Sequence, residues 1–122
     1  MSPAYADLIG HFIDAINDTD AARRRATIEK ILTPDCTYTD PEIAVEGHDA
    51  LDAAFADLQQ RIPPGFRFSL AAPVDTHHHQ ARFFWRFGAP EADAPAATGS
   101  DVAVFADGRI RHLYAFFDAA NG

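Results

Sequence analysis

The stretch GSDVAVFADGRIRHLYAFF, residues 99–117, decides the fold of this 122-residue chain. Apolar side chains recur at alternate positions on both sides of Asp107-Gly108, a pair that favours the two-residue turn of a β-hairpin. The pattern therefore predicts two adjacent strands, one from Asp101 to Ala106 and one from Arg109 to Phe117.

The chain before this hairpin shows the same alternation twice, which predicts two more strands. Their apolar positions are Phe66, Phe68 and Leu70 in the first strand and Ala81, Phe83, Trp85 and Phe87 in the second. The stretch from Gly88 to Thr98 contains Pro90 and Pro95 and few apolar residues that could anchor it. We expect it to be a mobile loop.

Helical spacing of apolar residues dominates the first half of the chain. It predicts helices from Ser2-Pro3 to about Asn17, from the capping residue Asp20 to Thr33-Pro34, and from Gly47 to Pro63-Pro64-Gly65. A short strand, Cys36 to Thr39, is predicted between the second and third helices, and Asp40-Pro41 ends it with a turn. Helices followed by strands indicate an α+β fold in which a curved sheet wraps around helices.

Length and composition fit one globular domain over residues 1–122. The net charge of −8 argues against nucleic acid as a partner, and the basic run Arg23 to Arg25 is predicted to be a solvated helix face. Cys36 is the only cysteine, which fits a reducing compartment and a thiol that packs as a small hydrophobe. No signal peptide or membrane span is recognisable, so we expect a cytoplasmic protein without a membrane partner.

The order of these elements resembles the nuclear transport factor 2-like superfamily, and more closely its SnoaL-like and ketosteroid-isomerase-like branches. The resemblance covers nearly the whole chain and rests on five segments in order: HFIDAIN, TPDCTYTDP, EGHDALDAAFADL, ARFFWRFG and GSDVAVFADGRIRHLYAFF. It implies a cystatin-like cone, in which N-terminal helices pack in a curved antiparallel sheet around a pocket that is open at one end. Because the superfamily includes isomerases, cyclases, dehydratases and pure binding modules, the resemblance does not name a substrate.

Two aspartates match the acids of ketosteroid-isomerase-like proteins. Asp40 matches the general base, and Asp101 matches the acid that stays protonated and donates a hydrogen bond to an oxyanion. The alternative for Asp40 is an ordinary turn aspartate, and the alternative for Asp101 is an exposed residue at the start of a strand. Alternation places Asp101 on one strand face with Ala103 and Phe105, where desolvation should raise its pKa, and we expect Asp40 to be the wetter of the two.

The third residue of that family's site is a tyrosine on the first helix, and this chain has Phe12 at the matching position. Loss of one oxyanion donor can cost about two orders of magnitude in rate, which argues against steroid isomerisation by the familiar mechanism. Tyr38 could supply a replacement phenol, because residues two apart on a strand share a face and Tyr38 would point the same way as Asp40. The alternative for Tyr38 is a core-edge tyrosine that bonds to water or backbone.

Aromatic and aliphatic residues are predicted to bind the ligand, because the apolar faces that fill the core of such a cone also line its pocket. These predicted substrate-binding residues are Phe12, Tyr38, Phe55, Phe83, Trp85, Phe105 and Leu113.

Histidine supplies no recognisable metal motif. His77, His78 and His79 are consecutive, so on a strand they would point to alternating faces, and we predict a turn or strand edge there. The remaining histidines are scattered and form no HExxH pair. We predict neither a metal nor a cofactor.

Two classes of function remain open at this point. One is a cofactor-independent isomerase, cyclase or dehydratase that acts on a small apolar molecule, and the other is a non-catalytic ligand-binding or dimerisation domain. A homodimer through the outer sheet face is also predicted, because an outward patch of valines and aromatic residues is larger than a monomer usually exposes. Its members are Val102, Val104, His112, Tyr114, Phe116 and Phe84.

Overall fold

The computed structural model describes residues 3–118, and within them the chain forms three helices and seven strands. The helices are α1 (Pro3–Asn17), α2 (Ala21–Ile31) and α3 (His48–Arg61). The strands are β1 (Leu32–Thr39), β2 (Ala44–Glu46), β3 (Arg67–Leu70), β4 (Asp75–His77), β5 (Gln80–Gly88), β6 (Ala97–Ala106) and β7 (Arg109–Phe117). The predicted α+β class and order of elements are confirmed.

The helix boundaries lie close to the predicted ones, although α2 ends at Ile31, two residues before Thr33-Pro34. Asp20 caps α2, because its carboxylate accepts a hydrogen bond from the Arg23 backbone N–H at 2.9 Å. α3 begins after Gly47 and ends just before Pro63, and it buries Leu51 and Phe55 against the sheet. α1 contributes a continuous apolar face to the same core.

The strands form one sheet in the order β2-β1-β7-β6-β5-β3, and β4 also pairs with β5. β1 and β7 run parallel, whereas the other neighbours are antiparallel. The sheet is therefore mixed: the predicted antiparallel arrangement holds for every pair of neighbouring strands except β1 and β7. β1 and β7 are far apart in sequence, and no hairpin sets their relative direction.

Strand boundaries differ from the prediction at three places. β1 begins directly after α2 and includes Pro34. Pro34 is exposed and lies where the pairing between β1 and β7 is irregular, so its missing N–H interrupts no regular run of hydrogen bonds between the two strands. β2 and β4 were not predicted, because three residues are too few to show alternation. β5 and β6 extend into the predicted loop and leave only residues 89–96 between them.

The β6–β7 hairpin turns at Asp107-Gly108, as predicted. Asp107 and Gly108 have positive φ angles of 54° and 77°. The two-residue turn whose twist matches that of the flanking strands requires positive φ at both positions. The pairing register shifts beyond Val104, and this irregularity lets both Ile110 and Leu113 reach the core although they are three positions apart.

Aromatic contacts fill one end of the curved sheet. Tyr5 of α1 stacks on Phe105 of β6 with ring centroids 3.8 Å apart. Phe12, two turns further along α1, contacts Phe55 and Phe83 edge to face. The packing is continuous on this side, and the space between α1, α3 and the sheet opens beyond Phe12 and Phe55.

Arg24 departs from the predicted solvated face of α2. Its side chain is only 5% exposed. The guanidinium contacts the Asp52 carboxylate of α3 at 3.2 Å and donates to the Asp18 carbonyl at 3.0 Å. The prediction is therefore wrong for Arg24, which joins α2 to α3 and to the turn after α1, because a buried guanidinium needs partners for its donors.

Asn17, the last residue of α1, completes the edge of the sheet at β3. Its side-chain amide donates to the Phe68 carbonyl and accepts from the Phe68 N–H, both at 2.8 Å. An amide side chain has both a donor and an acceptor, so it makes the two hydrogen bonds that the backbone of a residue in a neighbouring strand would make. The end of α1 is thereby fixed against β3.

No helix in residues 3–118 is long and apolar enough to cross a membrane. His77 ends β4, and His78 and His79 form the turn that follows, which confirms the predicted turn at a strand edge.

Candidate functional site

A cavity of about 700 Å³ lies between α1, α3 and the inner face of the sheet. Its wall is mostly apolar, and five of the predicted substrate-binding residues contribute to it: Phe12, Tyr38, Phe55, Phe83 and Trp85. Asp40 and Asp101 both border the same cavity. The structure thus brings together the two acids and most of the residues that the sequence analysis selected.

Phe105 and Leu113 do not line the cavity. Phe105 stacks against Tyr5 in the packed part of the core. Leu113 is fully buried, because it lies between Tyr38 of β1 and Ala103 of β6 on the covered sheet face. Both residues support the core below the cavity.

Asp101 is the most deeply buried acid of the site, with 3% of its surface exposed. Burial raises its pKa to about 7, and the nearby negative charge of Asp40 acts in the same direction. The Trp85 indole N–H donates to Oδ1 of Asp101 at 2.9 Å, which opposes this rise by stabilising the charged form. The expected burial of Asp101 is confirmed, and the raised pKa has the direction that this burial predicts.

Asp40 is half-buried and follows the end of β1. Its Oδ1 accepts from the backbone N–H groups of Glu42 and Ile43 at 2.8 and 2.9 Å, and its Oδ2 accepts from the Tyr38 hydroxyl at 2.9 Å. Asp40 is therefore both a turn aspartate and a cavity residue. A carboxylate has about four acceptor positions, so these three bonds leave one position on Oδ2.

Tyr38 is buried, and its hydroxyl proton is directed at Asp40. Burial raises the pKa of this phenol strongly, and the charge of Asp40 and the hydrogen bond to it add to the effect. Tyr38 is thus a neutral donor that orients the Asp40 carboxylate. It is not a core-edge tyrosine bonded to backbone, and its proton is not free for a ligand in this arrangement.

The pairing register explains why the two acids face one another. Thr39 of β1 pairs with Tyr114 of β7, so Asp40 follows beside Ala115. Ala115 in turn pairs with Asp101 on β6. Because neighbouring strands lie about 4.8 Å apart, the backbones of the two acids are about 10 Å apart with Ala115 between them. Ala115, whose side chain is only a methyl group, lines the same cavity as the two acids.

Several site features were not predicted from the sequence. Ala50, Ala53 and Ala54 place small side chains of α3 along the cavity, which leaves volume that larger side chains would fill. Two further lining residues are linked to each other, since the Thr98 hydroxyl donates to Asp118 at 2.6 Å. Alanines on the apolar side of a predicted helix are a signal of spare volume, but alanine is also common in tightly packed cores.

Within residues 3–118, no three His, Cys, Asp or Glu side chains are grouped closely enough to hold a metal ion. Cys36 is fully buried, and burial raises the pKa of its thiol. Its environment favours the neutral thiol, as expected for a residue that only packs.

The family model of the SnoaL-like domain matches residues 9–113, which is most of the chain. The chain belongs to the SnoaL-like domain family. A candidate isomerase of this family from Agrobacterium tumefaciens is 30% identical to it, with a TM-score of 0.87 over 97% of this chain and 100% of the other.

Two more distant structures share the fold of this SnoaL-like domain. A candidate ketosteroid isomerase from Kribbella flavida is 15% identical, with a TM-score of 0.71 over 98% of this chain and 81% of the other. A candidate SnoaL-like polyketide cyclase from Jannaschia is 18% identical, with a TM-score of 0.75 over 97% and 90% of the two chains. No curated protein matches the chain.

Proposed function

We propose that this SnoaL-like domain binds a small apolar molecule with a carbonyl group and moves a proton on a carbon atom next to that carbonyl. The observation that carries the proposal is the placement of Asp40 and Asp101 on one apolar cavity of about 700 Å³. The two acids have different environments, since Asp101 is 3% exposed whereas Asp40 is half-buried in a polar turn. Such a difference assigns two acids to two tasks.

Asp101 would act as the hydrogen-bond donor. Below a pH of about 7 it carries a proton, and its Oδ1 already accepts from Trp85. The proton on the other oxygen would bind the carbonyl oxygen of the ligand and stabilise the negative charge that develops there.

Asp40 would act as the base. Its free acceptor position on Oδ2 would take a proton from the carbon next to the carbonyl, and the electron pair of that C–H bond would move into the enolate. Return of the proton to a different carbon completes an isomerisation. In a dehydration, a hydroxyl group on the next carbon leaves with the proton held by Asp40 as water. In a ring closure, the enolate carbon attacks a second carbonyl, and the alkoxide formed takes up that proton.

A non-catalytic ligand-binding domain is the second candidate. It is favoured by Phe12, which places an apolar ring where a donor would strengthen the oxyanion site. It is also favoured by the three hydrogen bonds that Asp40 already accepts. In that case the acids would orient a ligand without changing it.

Binding of an apolar phenol tests the proposed site, because a phenol is a stable enol with the shape of the proposed intermediate. We expect naphthol to quench the fluorescence of Trp85, the only tryptophan of the chain. Asp101→Ala should bind naphthol about 10- to 100-fold more weakly, since it loses one hydrogen bond to a charged or strongly polar group. Asp57→Ala is the matched control, because it removes an acid that borders the same cavity but is exposed to solvent.

Naphthalene, which has no hydroxyl group, separates the two parts of this interaction. It should bind the wild type and Asp101→Ala with equal affinity. Equal affinity of naphthol for these two proteins would contradict the role of Asp101 as donor, and failure of both compounds to bind would contradict the cavity as a site for apolar ligands of this size.

We also propose that two copies of the chain pair through the outer sheet face. Phe84 of β5 and Tyr114 and Phe116 of β7 are 43%, 38% and 59% exposed, and they lie on the face opposite the cavity. The Arg82 guanidinium lies 5.4 Å from the Phe84 ring centre and could form the polar rim of such an interface. A two-fold contact would cover the same aromatic patch on both copies.

Sedimentation equilibrium at micromolar concentration tests the pairing. We expect a dimer for the wild type and a monomer for the double variant Phe84→Glu/Phe116→Glu, because four buried carboxylates would oppose the contact. Leu70→Glu is the control, since Leu70 is also exposed but lies at the β3 edge. A monomeric wild type would exclude the proposal.

A further inference from the structure

The Asp101 carboxyl group has one oxygen in a fixed bond and one oxygen without a partner among residues 3–118. Oδ1 accepts from the Trp85 indole N–H at 2.9 Å, whereas Oδ2 makes no hydrogen bond to a described residue. The side chain borders the cavity. An indole N–H is a donor only, so the oxygen that it contacts must be an acceptor. Because the carbonyl oxygen of a neutral carboxylic acid is a better acceptor than its hydroxyl oxygen, the bond from Trp85 favours the Asp101 proton on Oδ2.

Trp85 reaches Asp101 diagonally across the β5–β6 pair. Its direct partner on β6 is Gly99, whereas Asp101 pairs with Phe83. The indole must therefore lie along β6, over the position of Gly99, to bring its N–H to the carboxyl group. The rings of Phe68 and Phe117 contact the indole edge to face and hold it in this orientation.

Gly99 is the residue that makes this orientation possible. A Cβ atom at position 99 would overlap two carbon atoms of the Trp85 indole and the backbone carbonyl of Phe116. The close approach of the ring to the strand requires the absence of a side chain, as glycine often provides within strands. Gly99 is buried, and Trp85 is only 7% exposed. The indole ring would therefore lose its packing if it moved aside to make room for a side chain at position 99.

We propose that Gly99 and Trp85 are positioning residues that keep the proton of Asp101 on the oxygen facing the cavity. The inference rests on the proposed role of Asp101 as donor, and it adds the two residues that aim that donor. Without them, the acid proton could lie on either oxygen, and only one of the two arrangements would point it at a ligand.

Other charged or titratable groups of residues 3–118 border the same cavity as Asp101. Tyr38 and Asp40 belong to the β1 end, Glu42 to the following turn, Asp57 and Arg61 to α3, and Asp118 follows β7. Of these, Asp40 is the group whose charge acts on Asp101. Trp85 is the only indole, so its N–H resonance is assigned without ambiguity.

NMR of the unliganded protein across a pH series tests the inference. In the wild type, the indole N–H resonance of Trp85 should shift with the same midpoint as the Asp101 carboxyl carbon. In Trp85→Phe, the Asp101 midpoint should move to higher pH, because a bond that stabilises the charged form is lost. Gly99→Ala should displace the indole resonance and move the Asp101 midpoint in the same direction. Ser100→Ala, at the next position on the opposite face of β6, should change neither.

An indole resonance that does not respond while Asp101 titrates would overturn the inference. An unchanged Asp101 midpoint in Trp85→Phe, or in a folded Gly99→Ala, would do the same. If Gly99→Ala does not fold, the wild-type titration and Trp85→Phe still decide. Since no ligand is present, these results are separate from the naphthol experiment: weak naphthol binding with an intact indole response would contradict the proposed function alone.

Discussion

Asp101→Asn is expected to make the protein more stable at pH 8, by up to about 4 kcal/mol. The pKa of Asp101 is about 7 in the folded protein, whereas an unfolded aspartate titrates near its model value of 3.8. Between these values the folded state binds more protons than the unfolded state, so the free energy of unfolding falls as the pH rises. Above pH 7 the wild type keeps a buried charge that asparagine does not have, while the asparagine carbonyl can still accept from Trp85.

Urea unfolding at pH 5 and pH 8 measures this difference. The wild type should lose stability between the two values, and Asp101→Asn should lose much less. Asp57→Asn is the control, because the Asp57 side chain is 70% exposed and should not reproduce the effect. Parallel pH profiles for the wild type and Asp101→Asn would show that Asp101 is not held as a neutral acid.

Asp40→Asn is expected to reduce proton exchange at the carbon next to a ligand carbonyl by about 10²- to 10⁴-fold. The amide fills the same space, and its oxygen can still accept from the backbone N–H groups of Glu42 and Ile43. It cannot accept the carbon-bound proton. The turn should therefore remain folded while the chemical step is lost.

The measurement is the loss of C–H signal from small apolar ketones in D₂O, followed by NMR with wild-type and variant protein. Glu42→Gln is the control, because Glu42 is an exposed acid that borders the cavity, and its backbone N–H, which bonds to Asp40, is kept in the variant. Thermal unfolding of each variant shows that the fold is intact. Undiminished exchange by folded Asp40→Asn would exclude Asp40 as the base, and absence of exchange by the wild type with every ketone that binds would favour the non-catalytic domain.

Local signals in the sequence were sufficient for much of the fold. The Asp107-Gly108 turn needs positive φ at both residues, and few other pairs supply it, so the hairpin could be predicted. The burial of Asp101 followed from the strand period of two. By contrast, the parallel pairing of β1 and β7 depends on contacts between distant parts of the chain, which no local pattern specifies.

The site was harder to predict than the fold, because its interactions depend on the relative position of three strands. Trp85 was selected as an apolar cavity residue, but its bond to Asp101 runs diagonally and requires the close approach at Gly99. The sequence left Asp40 as either a turn residue or a cavity residue. In the structure one carboxylate does both, with one oxygen in the turn and the other toward Tyr38.

The side-chain amide of Asn17 has a consequence for how copies of this chain can associate. An unpaired strand edge can recruit a strand from another molecule, and this is a common route to fibrous aggregates. Here β3 has only four residues, and Asn17 already occupies both hydrogen-bonding groups of Phe68. The opposite edge, β2, has only three residues. On the β3 side, β4 also pairs with β5 and has only three residues. Growth of the sheet by edge-to-edge addition is therefore disfavoured at these short strands, which is consistent with the proposed contact through the outer sheet face.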